Sequence, residues 1–144
     1  LNEVNTRDPS RLNGYIEVAG QKAQVVIANP AGISCDGCGF INANRATLTT
    51  GQVQYGNGQI SGYDVNRGEI LVQGGGLDAS SVDSTDLLAR AVKINAGVWA
   101  QELKVTAGRN QIDAAHSRTT AKSADGSALP AVAIDVSALG GMYA

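Results

Sequence analysis

Apolar residues recur along the chain with a period of two, in short runs: Val25 and Ile27, Ala46 and Leu48, Ile70 and Val72, Val92 and Ile94, Leu103 and Val105, then Val132, Ile134 and Val136. Successive side chains of a strand point to opposite faces, so alternation over so short a span predicts strands with one buried face. Three runs end alike. Arg45 to Gly51, Ala91 to Gly97 and Glu102 to Gly108 each carry an alternating pair of aliphatics, then Thr or Asn, then Ala or Thr, then Gly. Such a degenerate repeat predicts a solenoid, in which each coil buries its apolar side only by stacking on the next. The interval from Gly97 to Gly108 has room for one strand and a turn. That favours a parallel β-helix, with a two-sheet sandwich as the structural rival. Val25, Ile27, Leu48, Ile70, Val72, Val92, Ile94, Leu103 and Val105 are the expected core.

Two segments interrupt the pattern. Val53-Gln54-Tyr55, Gly56-Asn57-Gly58 and Gln59-Ile60 read as a hairpin, because Asn57-Gly58 supplies the positive φ angles of a tight primed turn. The hairpin is expected to project from the helix. Ser117 to Ala128, directly after the lone His116, is polar and contains Gly, and reads as an exposed loop. Asp83 to Val92 is ambiguous, since Leu87, Leu88, Ala91 and Val92 also mark one helical face with Ser84 or Thr85 as cap. The β-branched Val92 and Ile94 decide for extended chain.

Composition agrees with stacked short strands. Of 144 residues 43% are hydrophobic but only 4% aromatic, with Gly at 18 and Pro at 3, so the core is Val, Ile, Leu and Ala with many turns. The formal net charge of -2 offers no basic surface for a polyphosphate, which argues against a nucleic-acid partner. No apolar run approaches the roughly 20 residues needed to cross a bilayer, so membrane insertion is not expected. The opening Leu1-Asn2-Glu3-Val4-Asn5 has neither the basic nor the apolar region of a signal peptide, and Leu1 in place of Met suggests a fragment or processed chain.

The polar residues do not converge on catalysis. Val25 to Ile33 is a buried strand stopped by Asn29-Pro30 and turned by Gly32; Pro30 cannot donate a ladder hydrogen bond, and the Asn29 side chain can close the turn. On these residues alone an ordinary tight turn is the leading reading. Cys35-Asp36-Gly37-Cys38 cannot complete the usual four-ligand zinc set, with one His and no other Cys in the chain. It follows a strand and a turn, whereas a redox pair opens a helix. A local disulfide pinning the turn is the preferred reading, a reduced structural pair the next. His116 has no nucleophile elbow to serve. Asp78, Asp83 and Asp86 fit no calcium loop and read as solvated turn carboxylates. Asn42, Asn44, Asn66, Asn95 and Asn110 read as turn residues, some stacked between coils. No catalytic residue, metal site or cofactor is expected.

Ile27 to Asn42, followed by Arg45 to Gly51, resembles the haemagglutination-activity domain of two-partner-secretion exoproteins, a family that includes filamentous haemagglutinins, secreted haemolysins and contact-dependent growth-inhibition effectors. Leu1 to Val4, Leu12-Asn13-Gly14, Glu17 to Gly20, Ala89 to Ala100 and Leu139 to Ala144 extend the resemblance over nearly the whole chain. The family's Asn-Pro-Asn-Gly motif stands here as Asn29-Pro30-Ala31-Gly32, altered at its third position, and its Asn-Pro-Asn-Leu motif falls outside the chain.

The resemblance implies an all-β chain, a right-handed parallel β-helix with an extra-helical hairpin. Residues 1–144 would then be one domain, the carboxy-terminal portion of a secretion domain without its amino-terminal cap. It implies a secretion signal and folding nucleus, not an enzyme, recognised by the periplasmic polypeptide-transport-associated domains of a cognate outer-membrane transporter. The destination is the exterior or cell surface of a Gram-negative bacterium, reached through the periplasm. Asn29, Pro30 and Gly32 would set turn geometry, with Cys35 and Cys38 as its pin. An uncapped helix end exposes unpaired strands, which would draw in a complementary amino-terminal segment or a second copy. The alternatives are a carbohydrate-binding adhesin surface and a polysaccharide-degrading enzyme on the same scaffold, the latter requiring two carboxylates flanking a cleft.

Overall fold

Stacking in register lets one short alternating strand after another bury the same face, and the computed structural model shows that stacking through the described residues. It describes residues 2–3, 8–21, 23–108, 110–113, 119–121, 134–136 and 141–143. The first coil contains β1 (Asn2–Glu3), β2 (Ser10–Leu12) and β3 (Tyr15–Glu17). The second has β4 (Ala23–Ala28) and β5 (Ile33–Ile41). The third has β6 (Ala43–Thr49), the hairpin strands β7 (Gln52–Gly56) and β8 (Gln59–Val65), and β9 (Glu69–Ala79). The fourth has β10 (Ser84–Ala89), β11 (Ala91–Ile94) and β12 (Gly97–Ala100). In the last are β13 (Leu103–Ala107), β14 (Asn110–Asp113), β15 (Thr119–Ala121), β16 (Ile134–Val136) and β17 (Gly141–Tyr143).

Two parallel sheets result. The first runs β1-β4-β6-β10-β13, and the second joins β2 and β3 to β5, then β9, then β11 and β12, then β16 and β17. Its long strands β5 and β9 bend midway at corners made by Asp36-Gly37 and Gly74 to Gly76, where the register shifts. Inward residues stack in columns. Ile27, Leu48, Leu87 and Val105 are register partners across the first sheet, and Ile33, Ile70 and Val92 across the second. Ile33, Cys35, Phe40, Leu48, Ile70, Leu77 and Leu87 meet in one continuous core. This is the β-helix read from the alternation.

The expected core is buried at Ile27, Leu48, Ile70, Val72, Val92 and Ile94. Val25, Leu103 and Val105 are half-buried and pack against it. Each lies toward an end of the first sheet: β1 covers β4 only at Ile27 and Ala28, and β13 is that sheet's last strand.

The hairpin forms with Asn57 at φ 53 and Gly58 at φ 75. It is not alone, because β15, β14, β8 and β7 make one four-stranded antiparallel sheet. The reading of Ser117 to Ala128 as a plain loop is therefore corrected at Thr119–Ala121, which is strand β15 paired to β14. The rest of that segment, His116 and Val132 lie outside the described residues. Both excursions leave the helix after a strand of the first sheet, so they stand side by side and pair through Ile112 and Tyr63.

Together they cover the outer face of the first sheet, where Val26, Ala28 and Leu88 meet Val53, Tyr63, Val65 and Ile112 in a second core. Two of the Asn readings are also corrected. Asn44 is inside β6 and Asn110 begins β14. Asn42 is a turn residue as expected, at φ 60, and its amide donates to the Val18 carbonyl at 2.7 Å in the previous coil.

Candidate functional site

Asn29-Pro30-Ala31-Gly32 forms the corner between β4 and β5. Asn29 is fully buried, so each of its polar groups needs a partner. Its backbone N–H continues the first-sheet ladder to the Thr49 carbonyl at 3.0 Å. Its side-chain oxygen accepts the Ala31 N–H at 2.9 Å, closing the turn on itself. The side-chain nitrogen donates upward to the Asp8 carbonyl at 2.8 Å and the Ser10 hydroxyl at 2.9 Å. One amide thus shapes its own corner and ties it to the coil above. Gly32 completes the turn, its N–H donating to the Asn29 carbonyl at 3.0 Å. Its φ is +127 and a Cβ there would stand 3.1 Å from the Glu69 carbonyl of the coil below. Only glycine combines that dihedral with that approach. Pro30 and Ala31, half-buried, present the outside of the corner.

The next corner of the same coil is Asp36-Gly37, with Gly37 at φ +66. Cys35 and Cys38 flank it, both pointing into the core, and their sulfurs are joined, with Cα atoms 5.4 Å apart. From outside, the Asp36 carboxylate accepts the Gly75 N–H at 3.0 Å, fastening the corner to the coil below. Asn29, Pro30 and Gly32 therefore sit at one end of the first half of β5, and Cys35 and Cys38 at the other.

A shallow groove of about 580 Å³ runs between these corners, lined by Arg11, Asn13, Ala31, Ser34, Asp36 and Glu69 among others. Both of its acids, Asp36 and Glu69, are exposed side chains, and one oxygen of Asp36 is engaged by Gly75. No group of three or more His, Cys, Asp and Glu placed to hold a metal occurs among the described residues.

Two acids expected in solvated turns are elsewhere. Asp86 is in β10, 3% exposed, and accepts from Arg45 Nε at 2.9 Å. Asp78, in β9, accepts the Tyr15 hydroxyl at 2.7 Å and the Ser80 hydroxyl at 2.6 Å. Those bonds, Ser80 foremost, hold its carboxyl below the usual range, while the bond to Asp78 pushes the Tyr15 hydroxyl up. Asp83 is exposed in a turn, as read. A signal for Asp86 existed in the repeat, since aligning β6 with β10 puts Asp86 beside Thr47, two residues from Arg45.

A stack of coils whose polar residues hold corners and rungs defines a β-helical solenoid. More particularly, the chain belongs to the TPS secretion domain family, whose model matches residues 1–144. It is 72% identical over 144 residues to "Toxin CdiA" of Yersinia pestis, covering all of this chain and 4% of that protein. It is 52% identical over 145 residues to "tRNA nuclease CdiA-2" of Burkholderia pseudomallei strain 1026b, covering 5% of that one. Among solved structures it resembles the filamentous hemagglutinin secretion domain, with TM-score 0.87 and 40% identity over 97% of this chain and 50% of that chain.

The chain thus spans only 4 to 5% of these curated relatives. It is a secretion-signal module of the exoprotein type, and the two-partner family implies a cognate transporter. No helix among the described residues is long and apolar enough to cross a membrane.

Proposed function

We propose that residues 1–144 form a portion of a secretion domain that the transporter's periplasmic polypeptide-transport-associated domains recognise, so that the exoprotein passes from the periplasm through the transporter barrel to the cell surface. The observation that carries this reading is the match of the secretion-domain family over the full chain, on a fold built of stackable coils. Coverage of half of the solved secretion-domain chain supports reading this segment as part of such a domain. Once outside, each coil folds on the strand edge of the one before, so the stack grows without nucleotide energy. Asn29, Pro30 and Gly32 hold the corner beside the groove, and the Cys35–Cys38 link holds the next corner; their role is to support the recognition surface. The segment itself is not an enzyme, and the nuclease activities in the relatives' names belong to the far larger proteins.

The test is export of the full exoprotein in cells carrying its transporter, with and without residues 1–144, together with binding of the purified chain to the transporter's isolated periplasmic domains. Loss of export and measurable binding are expected. Wild-type export of the protein lacking the segment would sink the proposal.

A further inference from the structure

Two residues with side chains, Asn42 and Asn57, hold positive φ among the described residues, at 60 and 53. Their amides are treated differently. Asn42 is half-buried, and its side-chain nitrogen donates to the Val18 carbonyl at 2.7 Å and the Gly20 carbonyl at 2.8 Å. Asn57 is exposed at the tip of the β7–β8 hairpin, just beyond the last pair, Gly56 and Gln59. No hydrogen bond ties its side chain to any described residue. Its successor is Gly58, where an added Cβ would meet nothing within 4 Å.

Positive φ at both central residues, 53 and 75, makes this turn type I′. Type I′ and type II′ turns share a φ of about +60° at the first central residue, whereas its ψ moves from about +30° to about −120°. Asn57 therefore passes from one to the other by rotation of the Asn57–Gly58 peptide, with its φ kept and both strands left in place. Gly58 absorbs the compensating change to negative φ, which a residue without Cβ does at little cost. At a ψ of about −120° the Gly58 nitrogen eclipses Cβ of Asn57 and comes within reach of its Cγ.

We propose that Asn57-Gly58 is a self-modifying site, at which the hairpin preorganises Asn57 for spontaneous conversion to aspartate and isoaspartate. The Gly58 backbone nitrogen gives up its proton and bonds to Cγ of Asn57, while the amide nitrogen leaves as ammonia and a succinimide ring closes. Water then opens the ring. Attack at Cγ gives aspartate, and attack at the former backbone carbonyl gives isoaspartate, whose main chain runs through Cβ. The net change is uptake of one water and release of one ammonia. Either product makes the formal charge of -2 more negative by one. Isoaspartate also lengthens the backbone of a two-residue turn by one carbon, which disturbs the register that sets Val53 opposite Tyr63 in the second core. The inference does not rest on the secretion reading.

The same dipeptide occurs at Asn13-Gly14, also exposed, and supplies an internal control. Asn13 does not hold positive φ, and the Gly14 carbonyl accepts the Gly39 N–H at 3.3 Å between two strands laddered to β5. Rotating that peptide strains the bond to Gly39, and loss of an ordinary hydrogen bond slows a step by about tenfold.

The whole chain is kept folded in warm, mildly alkaline buffer and digested at intervals. Mass spectrometry reads the replacement of amide by acid at positions 57 and 13, and enzymatic methylation of the isoaspartyl carboxylate from S-adenosylmethionine counts isoaspartate. A second sample unfolded in guanidinium chloride gives the rate without structure. Position 57 is expected to convert at least as fast folded as unfolded, and about tenfold faster than position 13 in the folded chain. Asn57→Gly, which keeps the positive φ of the turn without the amide, should retain the parent's circular dichroism and lose the main acidic product on ion exchange. The proposal is overturned if position 57 converts more slowly in the folded chain than in the unfolded one, or if position 13 keeps pace with it. It is equally overturned if Asn57→Gly accumulates acidic product at the parent's rate.

Discussion

Arg45 reaches diagonally across one rung of the first sheet to Asp86, its Nε donating to Oδ2 at 2.9 Å, with the carboxylate side chain 4% exposed and the arginine 25%. The pair lies under the antiparallel sheet, close enough to Tyr63 that both charges act on its hydroxyl. Removing one partner of a buried pair costs more than the pair itself contributes, because the other charge is stranded. Arg45→Ala should therefore lower the unfolding free energy by about 2 to 3 kcal/mol, measured by urea denaturation. The double variant Arg45→Met with Asp86→Leu should recover part of that loss. A single variant within error of the parent would show that the pair is dispensable.

Asn29 makes a similar case at the corner. Asn29→Ala removes an acceptor for Ala31 and the donor to Asp8 and Ser10 in a site with no exposure, and should cost about 2 to 4 kcal/mol. Asn29→Asp should be nearly as damaging, since a carboxylate cannot donate to the Asp8 carbonyl. Ala31→Asn, which restores the family's third motif residue on a half-buried side chain, should change stability by no more than about 0.5 kcal/mol. Thermal unfolding of the three variants side by side decides the matter.

Tyr63 links stability to alkaline pH. Burial, its largest influence, pushes the hydroxyl from 10.0 up to about 12, with Arg45 opposing and Asp86 and Tyr55 adding to it. The folded chain then keeps a proton that the unfolded chain has lost. The resulting contribution is intact below pH 10 and disappears as pH climbs through about 12. Unfolding free energy should fall over that interval by roughly 2 to 3 kcal/mol more than in Tyr63→Phe. Parallel pH profiles for the two proteins would discard this assignment.

The Cys35–Cys38 link predicts protection from chemistry. Protein recovered from an oxidising compartment should take up no iodoacetamide before reduction, and two equivalents after reduction and unfolding. The Cys35→Ser, Cys38→Ser double variant should lose about 2 kcal/mol by the loop-closure argument. Two thiols alkylated in unreduced material would refute the link.

What could be read without coordinates was whatever depends on neighbours in the chain. Val25 with Ile27, Ile70 with Val72 and Val92 with Ile94 announced strands because the inside and outside of one coil alternate every residue. Asn57-Gly58 announced its turn because positive φ is a local demand. Asn29 could close its corner by reaching only two residues ahead, to Ala31. The family resemblance was legible for the same reason, since its motifs are such turns and strands.

What packs on the outside of a coil is decided by segments far away in sequence, and there the pattern was silent. Leu87 and Leu88 looked like a helical pair, but Leu87 faces the solenoid core and Leu88 faces β8 and β14. Asp86 looked like a solvated acid because the cover over its sheet comes from Val53, Tyr63 and Val65 well before it and Ile112 well after it in the chain. Thr119–Ala121 looked like loop because its partner, β14, joins a sheet begun at Gln52. Tyr15 and Asp78 are 63 residues apart and meet only because a single coil lies between their rungs and Gly39 leaves the space clear. Local alternation specifies a strand and its inward face, whereas the fate of the outward face is set only when the whole stack, and the sheet laid against it, has formed.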